Sequence, residues 1–208
     1  MPAHELRSIC LVPNVRTTIV FDDTTYEVSS SAQSVTIRVD ADNVVTIAPK
    51  SQRTSLEASI TGGLVLIEDV TGQVNYKRDF LLSWDDEDKL PELRFQRPPT
   101  EIVRSYVRGQ SIELGLEDVA SYRVRYRDGI EALFERTEPE GFKFSFSTGF
   151  YGSFWKEPDD SYTLKFKGDR LAPGEDAERS QSKFIISRSK HSGNLLLILQ
   201  EDASVVIA

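Results

Sequence analysis

The chain reads as all-β: two tandem β-sandwich or small-barrel domains of related topology, with almost no helix. Three observations predict this. Short runs of alternating apolar residues, bounded by Gly, Asp and Asn turns, recur about every ten residues from end to end. No stretch carries a sustained helical period of apolar residues. A pattern that starts near Val15 also returns roughly 87 residues later, in the same order.

The elements follow in order. Val15-Arg16-Thr17-Thr18-Ile19-Val20 alternates, Thr25-Tyr26-Glu27-Val28 follows, and runs 34–39 and 44–48 flank the acidic hairpin loop Asp40-Ala41-Asp42-Asn43. Runs 64–68 and 74–82 flank Asp69-Val70-Thr71-Gly72. In the second half, runs 103–107 and 111–114 precede 122–126 and 130–134, which join through Arg127-Asp128-Gly129, where Asp-Gly suits positive φ. Runs 142–146 and 150–155 join at Ser147-Thr148-Gly149, and strands are expected at 161–167, 184–188, 194–199 and 204–208. Short helical turns fit only near 86–90 and 176–181. The repeat sets Leu56, Ala58 and Ile60 opposite Phe142, Phe144 and Phe146, Gly63 opposite Gly149, and Tyr76 opposite Tyr162.

These signals divide the chain into a first β-domain (1–90), a Pro-rich linker with a short strand (91–101) and a second β-domain with C-terminal strands (102–208). Charge and proline break the pattern from Trp84 to Pro91, and Arg97-Pro98-Pro99-Thr100 breaks it again, with Leu93-Arg94-Phe95 as the short strand between. The C-terminal strands either complete the second domain or pair with another chain. The run 204–208 is apolar and β-branched, and such a strand needs a partner because its bare edge templates aggregation.

Composition excludes several functions. The net charge is −8 with a pI near 4.9, so phosphate backbones are repelled and no nucleic-acid partner is expected. Arg123, Arg125 and Arg127 alternate as one solvated strand face opposite Tyr122, Val124 and Tyr126. The lone Cys10 forbids an intramolecular disulfide and, between Ile9 and Leu11, reads as a half-buried structural thiol. The N-terminus lacks a secretory pattern and no apolar run is long enough for a membrane span. The expectation is a soluble protein of cytoplasmic synthesis with no membrane partner, a history that also fits incorporation into a virion or other particle.

Catalytic chemistry is sparse. Two histidines, His4 and His191, leave no material for a His-dependent triad or a Cys/His zinc site. No Gly-rich phosphate loop is present. The acidic clusters Asp22-Asp23, 85–88 and Asp159-Asp160 lack the spacing of a calcium loop and read as solvated turns. No cofactor, metal site or catalytic residue is expected, and the chain is read as a non-enzyme.

The strongest local feature is the aromatic run from Phe142 to Trp155. Phe142, Phe144 and Phe146 share one strand face and read as core. Phe150 and Phe154 share a face, and Tyr151 and Trp155 take the opposite one. Tyr and Trp are the residues of interaction hot spots, so Tyr151, Trp155 and the linker residue Trp84 are the candidate partner- or ligand-binding residues. The expected function is a structural or adaptor subunit of a larger assembly, such as a phage tail, baseplate or capsid-accessory part, whose partners are other subunits or copies of itself. The alternative is a carbohydrate- or ligand-binding β-sandwich module, with a glycan as partner.

Overall fold

The computed structural model of the chain describes residues 6–23, 25–30, 35–39, 43–47, 59–60, 64–68, 74–76, 79–83, 90, 92–137, 141–159, 161–167 and 182–208. Among the described residues there are strands and no helix, and the strand pairs are antiparallel. The chain divides into two compact units, Met1–Arg104 and Ser105–Ala208. No closed barrel forms among the described strands.

The first unit holds β1 (Ser8–Cys10), β2 (Arg16–Val20), β3 (Thr25–Ser30), β4 (Val35–Val39), β5 (Asn43–Ile47), β6 (Ser59–Ile60), β7 (Leu64–Glu68), β8 (Val74–Tyr76), β9 (Phe80–Ser83) and β10 (Glu92–Phe95). β2 to β5 form a meander, and a second array runs β1-β10-β9-β8-β7-β6. Period-2 alternation sends Thr17 and Ile19 inward from β2 and Tyr26 and Val28 inward from β3, all fully buried. Tyr26 meets Phe80 of β9 edge-on at 4.9 Å, which ties the two arrays together.

One expectation fails here. The run 74–82 is two strands, β8 and β9, folded back so that Tyr76 faces Phe80. The reason is Asp79, whose carboxylate is fully buried at the reversal. It accepts from the Tyr26 hydroxyl and from Arg97 Nε at 2.5 Å. Arg97 in turn binds Asp23 at 2.5 Å and lies 4.6 Å above the Phe21 ring. The strand expected within the linker is β10, which lies between β1 and β9. Cys10 is half-buried, and its carbonyl accepts from the buried Arg104 at 2.6 Å.

β11 (Glu101–Tyr106) carries the chain into the second unit. There follow β12 (Ser111–Leu114), β13 (Ser121–Tyr126), β14 (Glu131–Thr137), β15 (Gly141–Phe146), β16 (Tyr151–Lys156), β17 (Tyr162–Lys167), β18 (Phe184–Arg188), β19 (Leu195–Leu199) and β20 (Ala203–Ile207). One array runs β17-β16-β15-β14-β13-β20, and a three-stranded sheet runs β12-β19-β18. The turns 127–129 and 147–149 set the register of the first array. In each, the glycine has φ near +90° and donates back to the residue that closes the preceding strand. Phe134, Phe142, Phe144, Phe146, Phe150 and Phe154 all point to one buried face. Phe184 of β18 stacks on Phe146 at 5.8 Å and 7°, so the three-stranded sheet covers that face. Each such ring contributes roughly 2–3 kcal/mol by leaving water.

The C-terminal strands complete this unit. β20 pairs with β13, burying Val205 and Ile207. Lys183, only 3% exposed, pins the start of β18. It donates to Asp128 and Glu201 at 2.5 Å each and sits 5.2 Å above the Tyr126 ring. Burial, then the negative charges of Glu201 and Asp128, pushes the Tyr126 hydroxyl well above its ordinary pKa.

The sheet order differs between the two halves. β3 lies between β2 and β4, whereas β12, its counterpart in the repeat, pairs with β19 in a separate sheet. A strand that leaves for another sheet changes sheet order without disturbing its own alternation, which is why the sequence pattern is blind to it. Gly63 and residues 40–42, 69–73 and 84–89 lie outside the described residues.

Candidate functional site

β16 is an interior strand, paired with β15 on one side and β17 on the other. Its alternation splits the aromatics as expected: Phe154 is buried, and Tyr151 and Trp155 take the outer face. Pairing then fixes their neighbours. Lys143, Ser153 and Lys165 form one row across β15, β16 and β17. Gly141, Trp155 and Thr163 form the next, and Ser145, Tyr151 and Lys167 the one before.

The two aromatic candidates differ in state. Tyr151 is 41% exposed, one of the few large side chains so placed. Trp155 is half-buried, and its parts are occupied. The indole N–H donates to Glu157 at 2.7 Å, the Lys165 ammonium lies 5.1 Å from the ring, and its Cβ sits over Gly141. Trp155 is therefore a wall of the face, and Tyr151 is its open contact. Trp84 lies outside the described residues.

Carboxylates on and beside this face are held as acceptors. Glu157 also takes the Thr163 hydroxyl at 2.6 Å, and Glu131 takes Arg125 at 3.2 Å and Arg123 at 3.6 Å. Asp159 closes the turn before β17 by accepting from the Ser161 amide and hydroxyl, and these bonds lower its pKa. That use leaves Asp159 a turn residue. Among the described residues no group of three potential metal ligands is present, and no helix is long and apolar enough to cross a membrane.

Lys143, Ser153 and Lys165 were not singled out from the sequence. The signal existed: each shares parity with Tyr151 once the 147–149 turn fixes the hairpin, but parity alone does not choose the neighbouring strand. The first unit holds a cleft of about 630 Å³, lined in part by Arg7, Glu92, Arg94 and Arg97. Its central guanidinium, Arg97, is already bound by Asp79 and Asp23, and Arg94 lies 3.6 Å from Glu92.

No protein-family model matches the chain, and no curated protein or solved structure gives a significant match.

Proposed function

We propose that the chain is a non-enzymatic structural or adaptor subunit of a larger protein assembly, of the kind that builds viral tails, baseplates and capsid accessories, with two tandem β-sandwich domains as its frame. The observation that carries this reading is the exposure of large side chains on fully formed strands: Tyr151 at 41% on β16 and Ile185 at 54% on β18. Each is a large side chain on a formed strand that a neighbouring subunit would cover, and Tyr is a residue type enriched in such contacts. The use of carboxylates supports the non-enzymatic part, because Asp79, Asp128, Glu157 and Glu201 are each tied into hydrogen bonds that hold strands in place. The test is sedimentation and co-purification of the wild type beside Tyr151→Glu and Ile185→Glu. The reading expects self-association or a stoichiometric partner that at least one variant releases. A monomer with no partner recovered from its native source would overturn it.

A second reading, the carbohydrate-binding module, rests on a separate observation. On β16 the one outward residue between Tyr151 and Trp155 is the small Ser153, so the exposed Tyr151 ring has no bulky neighbour on its own strand.

A further inference from the structure

The outer face of β16 has a chemistry more specific than an apolar contact surface, and its register defines it. Ser153 stands between Lys143 and Lys165 in one row across three strands. Adjacent strands lie about 4.8 Å apart, so the two lysine backbones are separated by about 10 Å. Tyr151 and Trp155 lie four residues apart on the same strand, a span of about 13 Å. Two lysines and two aromatics are thus the neighbours of one small hydroxyl residue, and the Lys165 ammonium lies 5.1 Å from the Trp155 ring. Lys143 and Lys165 are both exposed. Two of the nearby acids are engaged, and the third, Glu135, stands directly across from Lys143. Glu131 is held by Arg123 and Arg125, and Glu157 by Trp155 and Thr163.

We infer that this face binds an acidic sugar residue, with its carboxylate above the Ser153 row within reach of Lys143 and Lys165 and its apolar C–H face against Tyr151. This rests on the carbohydrate-binding reading and deepens it. The charge argument is local: in a chain of net charge −8, two lysines bracketing a small residue select a single anionic group, and a charge-assisted hydrogen bond to each strengthens its hold. A ring with polarised C–H bonds suits the negative face of a tyrosine. A peptide strand is a poorer occupant, because such strands add to open sheet edges and β16 has both edges paired. A long phosphate polymer is opposed by the overall charge.

The test uses the full chain and oligosaccharides ending in glucuronic or N-acetylneuraminic acid, each beside a counterpart whose carboxylate is reduced to an alcohol, measured by titration calorimetry and ligand-observed NMR. The acid form should bind about tenfold or more tightly than the alcohol, a preference that charge-assisted bonds provide, and added salt should erode it. Lys143→Gln/Lys165→Gln should abolish the preference with only the small loss of melting temperature that one exposed cation–π contact carries, and Lys143→Arg/Lys165→Arg should keep it. Equal affinity for acid and alcohol would overturn the inference while leaving the carbohydrate reading intact. Binding of none of the sugars would overturn both. Tighter binding of an oligoglutamate peptide or an oligonucleotide would assign the face to another class of partner and overturn the inference as well.

Discussion

Gly152 sits in β16 with its missing side chain aimed into the aromatic core, and replacing it with alanine is the sharpest test of how that core is packed. A Cβ built at Gly152 falls 2.2 Å from the Lys165 carbonyl oxygen and 2.5 Å from Phe144 Cζ, against an ordinary contact of 3.4–4 Å. Backbone of β17 and the ring of Phe144 would each have to retreat by about 1 Å or more. Neither moves freely, because Lys165 pairs with Ser153 and Phe144, 2% exposed, is packed among Phe134, Phe146, Phe150 and Phe154. Overpacking of this kind costs about 1–3 kcal/mol, and a weakened ladder bond adds about 1 kcal/mol. The second unit has about 100 residues, so a loss of about 3 kcal/mol lowers its melting temperature by roughly 12 °C or more. The control is Gly149→Ala, where nothing lies within 4 Å and only the positive φ of 94° is strained, at about 1–2 kcal/mol. Differential scanning calorimetry should rank Gly152→Ala well below Gly149→Ala. Phe144→Leu should then recover part of the Gly152→Ala loss, giving a non-additive double mutant. A Gly152→Ala protein that melts within about 2 °C of wild type, less than 1 kcal/mol by the same scaling, would refute the close approach of β15, β16 and β17.

Further outcomes follow from the buried polar groups and the surface. Because the Tyr126 hydroxyl is held neutral in the folded state, the unfolded chain releases its proton first as pH rises past the ordinary tyrosine pKa of 10.0. Stability from this group is therefore complete below that pH and lost above it, by at most about 1.4 kcal/mol per pH unit; chemical denaturation from pH 9 to 11 should show a shallower decline in Tyr126→Phe. Lys183→Met leaves Asp128 and Glu201 facing each other without their cation. Both carboxylates are partly exposed, so urea unfolding should report a loss of about 2 kcal/mol, below the 3–5 of a fully buried pair. Val205→Ala, at a fully buried position of β20, should cost about 1–3 kcal/mol by the same assay. A gel-shift at about 150 mM salt should show no micromolar binding of duplex DNA, as net negative charge requires.

Much of this architecture was legible because strand alternation is a local property. The sequence run Ser121-Tyr122-Arg123-Val124-Arg125-Tyr126 carries its own inside and outside, and the Asp128-Gly129 and Thr148-Gly149 turns announce themselves through glycine. Tyr151 could be placed on an outer face for the same reason. The Val74–Tyr76 and Phe80–Ser83 hairpin was not legible, since Asp79 is stabilised by Tyr26 and Arg97, residues far away in sequence. Sheet order is equally non-local: nothing within Ser111–Leu114 says that it joins Leu195–Leu199 rather than its sequence neighbour. The occupied state of Trp155 depends on Lys165 and Gly141 from two other strands, so an aromatic that looks like an anchor in sequence becomes a wall in the fold.

The most direct test of the proposed binding face is hydroxyl-radical footprinting of the full chain, comparing the isolated protein with the same protein recovered in its native assembly. In isolation Tyr151, at 41% exposure, should be oxidised readily and Phe154, at 2%, hardly at all. In the assembly, oxidation of Tyr151 should fall several-fold while Phe154 stays unchanged. Equal oxidation of Tyr151 in both states would contradict the claim that the outer face of β15 to β17 is where this protein meets its partner.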